Sequence, residues 1–145
     1  MGLKSKENGN KGEAIVLAFF KSKGYWAHLT GRNSSGGQPV DIIALRGWSA
    51  NVLCDAKYVS SHKNLRFYLE EDIQADQLTS LKYARDFSKV QNLGFAIVFE
   101  GFEDKPRFLT LKVYEALVGA GEKGVYMHEL PTMEEMEAKV WSRRR

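Results

Sequence analysis

Val52-Leu53-Cys54-Asp55-Ala56-Lys57-Tyr58 is an apolar run broken twice by charge, at Asp55 and at Lys57. Side chains alternate across a strand, so Asp55 and Lys57 share one face while Cys54 and Ala56 share the other. Just upstream stands Pro39-Val40-Asp41-Ile42-Ile43-Ala44-Leu45, a second apolar run broken once, at Asp41. Residues 46–51 between them contain Gly47 and Asn51 and read as a turn, so the two runs predict a hairpin. Hairpin pairing brings Asp41 alongside Asp55. Two carboxylates placed together repel, and burying them is costly unless a cation joins them. Mg²⁺ takes oxygen ligands and keeps several waters, which suits a cleft open to phosphate. An Asp-x-Lys triplet alone is a weak signal, because many soluble strands carry one as a surface ion pair. Its setting, between strands that ought to be interior, raises it.

Working outward, residues 12–23 read as a helix whose Ala14-Ile15-Val16-Leu17-Ala18-Phe19-Phe20 stretch is apolar on nearly every face, which predicts deep burial. Gly24 is a natural stop. Residues 25–30 suit a strand, and residues 31–38 a polar, glycine-rich loop. Residues 59–71 lack clear periodicity and predict a mobile loop carrying Lys63 and Arg66. Residues 72–90 predict an amphipathic helix with Ile73, Leu81 and Ala84 on one stripe. Residues 94–99 and 107–111 predict strands. The order α-β-β-β-α-β-β is an α/β plan, a mixed central sheet flanked by helices. The expected organisation is a flexible basic arm (1–10), one domain (11–118), and a C-terminal extension (119–145) with a strand and a helix from Thr132.

Two further residues fall near the hairpin's charges. Glu13 offers a third carboxylate, although an acid in the first turn of a helix also simply favours the helix dipole. Gln77 lies on the stripe of Ile73, Leu81 and Ala84, where a polar group facing a sheet needs a partner. Lys57 or a phosphate would be one, and a backbone group the plainer alternative.

The 145 residues suit one compact domain. The longest apolar run is far too short to span a bilayer. The first dozen residues lack an apolar signal core, and the single cysteine, Cys54, forms no intrachain disulfide; both predict an intracellular, cytoplasmic setting. His28, His62, His128 and Cys54 lack zinc spacing, and Gly36-Gly37 is not followed by the residues of a nucleotide phosphate loop, so neither zinc nor a nucleotide cofactor is expected. Residues 1–69 hold ten Lys and Arg against four acids, and the remainder eleven against fourteen. A basic half can follow a phosphate backbone. Three of its four acids are Glu13, Asp41 and Asp55.

The runs Asn10-Lys11-Gly12-Glu13, Lys23-Gly24-Tyr25, Gly36-Gly37-Gln38-Pro39-Val40-Asp41-Ile42-Ile43-Ala44 and Cys54-Asp55-Ala56-Lys57 resemble the archaeal Holliday junction resolvases of the PD-(D/E)XK nuclease superfamily. Those carry a Lys-Gly and a Glu in the first helix, a glycine closing it, a Ser/Gly loop, Pro-Asp-Ile-Ile-Ala and Glu-x-Lys. The later part, from Ile73 through Asp76-Gln77-Leu78 to Gly94-Phe95-Ala96-Ile97-Val98-Phe99, is similar to the RecU resolvases of Gram-positive bacteria and their phages. Three departures stand out. Val40 is inserted before Asp41, Asp55 replaces the commoner Glu, and Glu13 directly follows Gly12.

The resemblance implies a restriction-endonuclease-like core and an Mg²⁺- or Mn²⁺-dependent endonuclease that resolves four-way DNA junctions. It implies Glu13, Asp41 and Asp55 as metal ligands, with Lys57 and Gln77 completing the catalytic set, and a homodimer. Lys11, Arg32, Ser34, Ser35, Lys63 and Arg66 would contact DNA. Two alternatives stay open: another restriction-like or repair endonuclease of the same fold, and a DNA-binding protein that does not cut.

Overall fold

The computed structural model describes residues 2–30, 40–47, 50–88 and 90–141, with side chains from residue 7 onward. Among these, helix α1 (Gly2–Ser22) leads into a meander of β1 (Trp26–Leu29), β2 (Ile42–Leu45) and β3 (Val52–Val59). A 3₁₀ turn (Ser61–Lys63) and the short β4 (Arg66–Tyr68) precede helix α2 (Ala75–Ser88). Strands β5 (Asn92–Phe99) and β6 (Arg107–Thr110) follow, then α3 (Leu111–Gly119), β7 (Gly124–Tyr126) and α4 (Met133–Met136), which runs on as a π-helical turn over Glu137–Trp141.

The main sheet has the order β1-β2-β3-β5-β6 among the described residues. Pairing is antiparallel except between β3 and β5, which run parallel with α2 in the crossover. This is the expected mixed sheet flanked by helices. Alternation along the strands sends side chains to two cores. Val52, Cys54, Ala96 and Val98 join Val16 and Phe20 of α1 on one side. Leu53, Phe95, Ile97 and Phe99 join Leu81 and Ala84 of α2 and Tyr114 of α3 on the other.

Two glycines are required where they stand. Gly24 ends α1 with φ +89°, the left-handed conformation that glycine adopts without penalty. Gly94 lets β6 approach: a Cβ there would lie 2.2 Å from the Leu109 carbonyl oxygen.

Several expectations are corrected. Residues 2–10 are not an arm but the first turns of α1. The Ile15–Phe20 region is not buried all round. Val16 and Phe20 are fully buried, Ile15, Leu17 and Phe19 half so, and Ala14 and Ala18 face outward. Ile73 is buried but precedes α2 instead of belonging to it. The stretch 59–71 is structured, since β4 pairs antiparallel with β7 in a small second sheet, Arg66 opposite Tyr126. Helix α3, which the sequence reading passed over, starts where β6 ends, capped by Thr110 Oγ1 accepting from the Val113 N–H at 3.0 Å.

The C-terminal residues are part of the core. Met133 and Trp141 are fully buried, and the Trp141 ring packs against Phe20 and Phe108 at centroid separations of 5.5 and 4.8 Å. Glu137, 8% exposed, accepts the Tyr25 hydroxyl at 2.6 Å and the Arg46 guanidinium at 3.0 Å. Burial and the Glu137 charge push the Tyr25 phenol well up from its ordinary pKa.

Candidate metal and nucleic-acid site

The hairpin forms in the predicted register. Ile42 pairs with Cys54, which sets Asp41 opposite Asp55. Each acid takes a backbone N–H from the facing strand: Asp41 N–H donates to Asp55 Oδ1 at 2.9 Å, and Ala56 N–H donates to Asp41 Oδ2 at 3.2 Å. Asp41 stands just before β2, where the chain enters the sheet, and is half-buried. Asp55 is only 2% exposed, one of the two most buried acids among the described residues. Asp55 follows the last β3 residue paired with β2 and is itself paired with Phe95 of β5, in the middle of the main sheet.

On the same face of β3, one alternation further, Lys57 donates its ammonium to Gln77 Oε1 on α2. The same oxygen accepts the Gln74 N–H at 3.2 Å, at the start of the helix. Gln77 therefore meets both expectations at once. It satisfies an orphan donor of the helix N-terminus and holds the lysine that faces it. Cys54, on the opposite face of β3, is fully buried. Burial, and behind it the charges of Asp55 and Asp41, push its thiol well up, so it stays protonated and unreactive.

Glu13 is placed differently from what its position in a short helix implied. Because α1 starts at Gly2, Glu13 is mid-helix and gains nothing from the N-terminal dipole. Its half-buried turn rests against β3 at Lys57 and Tyr58, through the neighbouring Gly12. Among the described residues, no three His, Cys, Asp or Glu side chains stand together as a ready-made metal site. The sheet thus brings Asp41 and Asp55 together and leaves Glu13 on the neighbouring helix. The paired donors are nevertheless of the right kind: hard carboxylate oxygens, of which Mg²⁺ needs only one or two beside its waters.

Of the basic residues, Lys11 is exposed and spans Tyr58 and Glu103, 5.5 Å from the ring and 3.6 Å from the carboxylate. The Tyr58 hydroxyl, followed by the Glu103 charge, raises the Lys11 pKa. Lys63 pairs with Asp72 at 2.8 Å. Arg66 lies over the Tyr68 and Tyr126 rings at 5.1 and 5.2 Å. Arg32, Ser34 and Ser35 lie outside the described residues.

A cavity of about 100 Å³ opens beside Lys57, lined also by Ser60, Lys63, Phe67 and Asp72. Sequence reading passed over Asp72, Tyr68 and Tyr126. Tyr126 meets Arg66 only through the pairing of β4 with β7, and Asp72 and Tyr68 meet Lys63 in a stretch without helical or strand period.

No protein-family model matches the chain, and no curated protein matches it in sequence. Among solved structures it is similar to Hjc of Archaeoglobus fulgidus, a Holliday junction resolvase from an archaeal hyperthermophile. The TM-score is 0.65 at 19% identity, covering 88% of this chain and 98% of the other. The chain therefore has the restriction-endonuclease-like fold of that protein. No helix among the described residues is long and apolar enough to cross a membrane.

Proposed function

We propose that this protein is a metal-dependent endonuclease that cuts branched DNA, with four-way junctions as its substrate. The observation that carries the reading is the facing of Asp41 and Asp55 across β2 and β3, with Lys57 on the Asp55 face held by Gln77. A second acid lies beside a buried one, an arrangement that raises the energy of the empty protein and favours a cation. The fold shared with a Holliday junction resolvase supports the choice of substrate.

On this reading Asp41 and Asp55, with Glu13 from α1, hold one or two Mg²⁺ or Mn²⁺ ions. When bound, such an ion neutralises charge on the scissile phosphate and lowers the pKa of a water. Lys57 stabilises the negative charge that grows on the phosphate as water attacks. Gln77 keeps the lysine aimed, because its oxygen is itself fixed by the Gln74 N–H. Breaking the P–O3′ bond leaves a 5′-phosphate and a 3′-hydroxyl. Lys11, Arg32, Ser34, Ser35, Lys63 and Arg66 contact the backbone. A junction has approximate two-fold symmetry and needs two matched cuts, which a C2 homodimer supplies.

The test is cleavage of an end-labelled synthetic junction, with linear duplex, flap and single-stranded DNA alongside. Paired, Mg²⁺-dependent incisions across the branch are expected from the wild type, and chelator should stop them. Asp55→Asn should lower the rate by about 10³-fold or more with junction binding intact. Cutting of duplex or flap in preference to the junction would favour a repair or restriction-like nuclease. Binding with no cutting of any form would leave a non-cleaving DNA-binding protein.

A further inference from the structure

The small sheet that β4 and β7 form packs on the core beneath α2 and carries an ordered row of cations and rings. Lys63 Nζ lies 5.4 Å from the centre of the Tyr68 ring. The Arg66 guanidinium lies 5.1 Å from the same ring and 5.2 Å from that of Tyr126. Tyr126 stacks on His128 at 5.9 Å, with an interplanar angle of 24°. The row starts at the cavity beside Lys57, which Lys63 also lines, and ends at Tyr126 and His128, both exposed. Cations and aromatic rings therefore alternate from the reacting end outward.

We propose that the β4–β7 ribbon is a nucleic-acid contact surface, taking the DNA arm that leads away from the scissile phosphate; this rests on the nuclease reading above. Lys63 takes the first phosphate flanking the cut, in the cavity beside Lys57, and Arg66 takes the next. Tyr126 and His128 offer a flat face to sugar or to an unstacked base at the branch. Asp72 is a positioning residue in this arrangement. Its Oδ1 accepts from Lys63 Nζ at 2.8 Å and its Oδ2 from the Tyr68 N–H at 2.8 Å. Both oxygens are thus turned to the protein, and an ammonium carries three donors, so the pair leaves Lys63 able to bind phosphate. Glu129, the acid nearest the outer end in sequence, is likewise turned back onto the Tyr126 N–H at 2.8 Å.

The backbone between the two cations supports a functional reading. Asn64 and Leu65 both sit at positive φ, 56° and 60°, between Lys63 and Arg66. Two successive non-glycine residues in that region are strained, and such strain persists where the surroundings enforce it. Here the Leu65 carbonyl accepts the Met127 N–H at 2.8 Å, tying the turn to the end of β7. The chain beyond α3 then has a purpose besides packing: it delivers one side of the ribbon.

The experiment is binding and cleavage of a labelled four-way junction and a labelled duplex over a salt series, with wild type, Lys63→Gln/Arg66→Gln, Tyr126→Ala and a control, Lys82→Gln/Lys112→Gln. Loss of two phosphate contacts should lower the slope of log K against log[salt] by about 2. It should raise KM about tenfold or more at physiological salt, with kcat at saturating junction kept within about twofold. Tyr126→Ala should weaken junction binding more than duplex binding and leave the salt slope unchanged. The control should match wild type. If Arg66→Gln does not fold, judged by its thermal transition, Lys63→Gln alone carries the test with a slope change of about 1. A wild type that cuts, beside a folded double variant that keeps the slope and KM, overturns the ribbon and spares the nuclease. A wild type that neither binds nor cuts any DNA overturns both.

Discussion

Asp55 and Glu137 are the two buried acids among the described residues, and their neighbourhoods are opposite in kind. Glu137 lies between a phenol and a guanidinium, Tyr25 at 2.6 Å and Arg46 at 3.0 Å, and the Arg46 cation itself rests on the Tyr25 ring at 4.7 Å. Asp55 lies across the hairpin from Asp41, a second acid. One buried carboxylate is neutralised by its surroundings and ties three segments of the chain together. The other shares its place with a like charge, Asp41, across the hairpin, and has the Lys57 ammonium one alternation along its own face. Burial of charge alone therefore does not mark a site. The company the charge keeps is what differs: a phenol and a guanidinium around Glu137 at the C-terminal turn, a second carboxylate beside Asp55 on β3.

The largest effect should come from Asp55, and it should be confined to chemistry. Asp55→Asn is isosteric and removes the like-charge repulsion. The variant should lose cutting by the factor given above while its thermal midpoint, measured without metal, stays equal to wild type or rises. A fall of several degrees would mean that Asp55 serves the fold as Glu137 does. Lys57→Met comes next: loss of one cation aimed at developing charge should reduce kcat by about 10²- to 10³-fold, with little change in junction affinity. Equal losses in affinity and rate would make Lys57 a binding group instead.

The C-terminal clamp should answer in the opposite currency. Arg46→Ala leaves Glu137 buried without its cation, and removing one partner of such a pair costs about 2–4 kcal/mol. Arg46 is partly exposed, which keeps the figure below that of a fully buried pair. Urea unfolding should show that loss, and single-turnover cleavage per folded molecule should be unchanged. Loss of activity in well-folded Arg46→Ala would join the two regions that this contrast holds apart.

Much of this contrast is legible in the sequence on one side only. Asp41, Asp55 and Lys57 stand out because they interrupt apolar strands, and the two-residue alternation fixes which of them share a face. Gln77 is visible for the same reason on a helical stripe. The clamp is not visible, because Tyr25, Arg46 and Glu137 come from separate segments, each reading as ordinary surface chemistry. The ribbon is hidden too: β4 has three residues, and its partner β7 lies beyond two helices and two strands. Helix α3 escapes because its first residue, Leu111, reads as the end of an apolar strand, and only the Thr110 cap separates them. The start of α1 escapes because residues 2–10 are polar and glycine-bearing, a composition that suits a helix end no better than an arm. Glu13 shows the limit in the other direction. Its period places it on a helix, but the approach of that helix to β3 is a tertiary matter that no local pattern encodes.

Tyr25→Phe should give the smallest effect and the finest distinction. It keeps the ring under Arg46 and the packing on Phe20, centroids 5.2 Å apart, and removes only the hydroxyl that donates to Glu137. At neutral pH the loss should be about 1.5–3 kcal/mol, the scale of one hydrogen bond to a charged acceptor. The pH dependence is the sharper readout. The phenol's pKa is raised in the folded protein from an ordinary value of 10.0, chiefly by burial and then by Glu137. Its contribution is therefore fully present below pH 10 and is lost as pH rises beyond it, because the unfolded chain releases a proton that the folded chain retains. Wild type should lose stability on going above pH 10 more steeply than Tyr25→Phe, whose curve should be the flatter of the two. Identical slopes would mean that the hydroxyl titrates alike in both states, and that Arg46 alone neutralises Glu137.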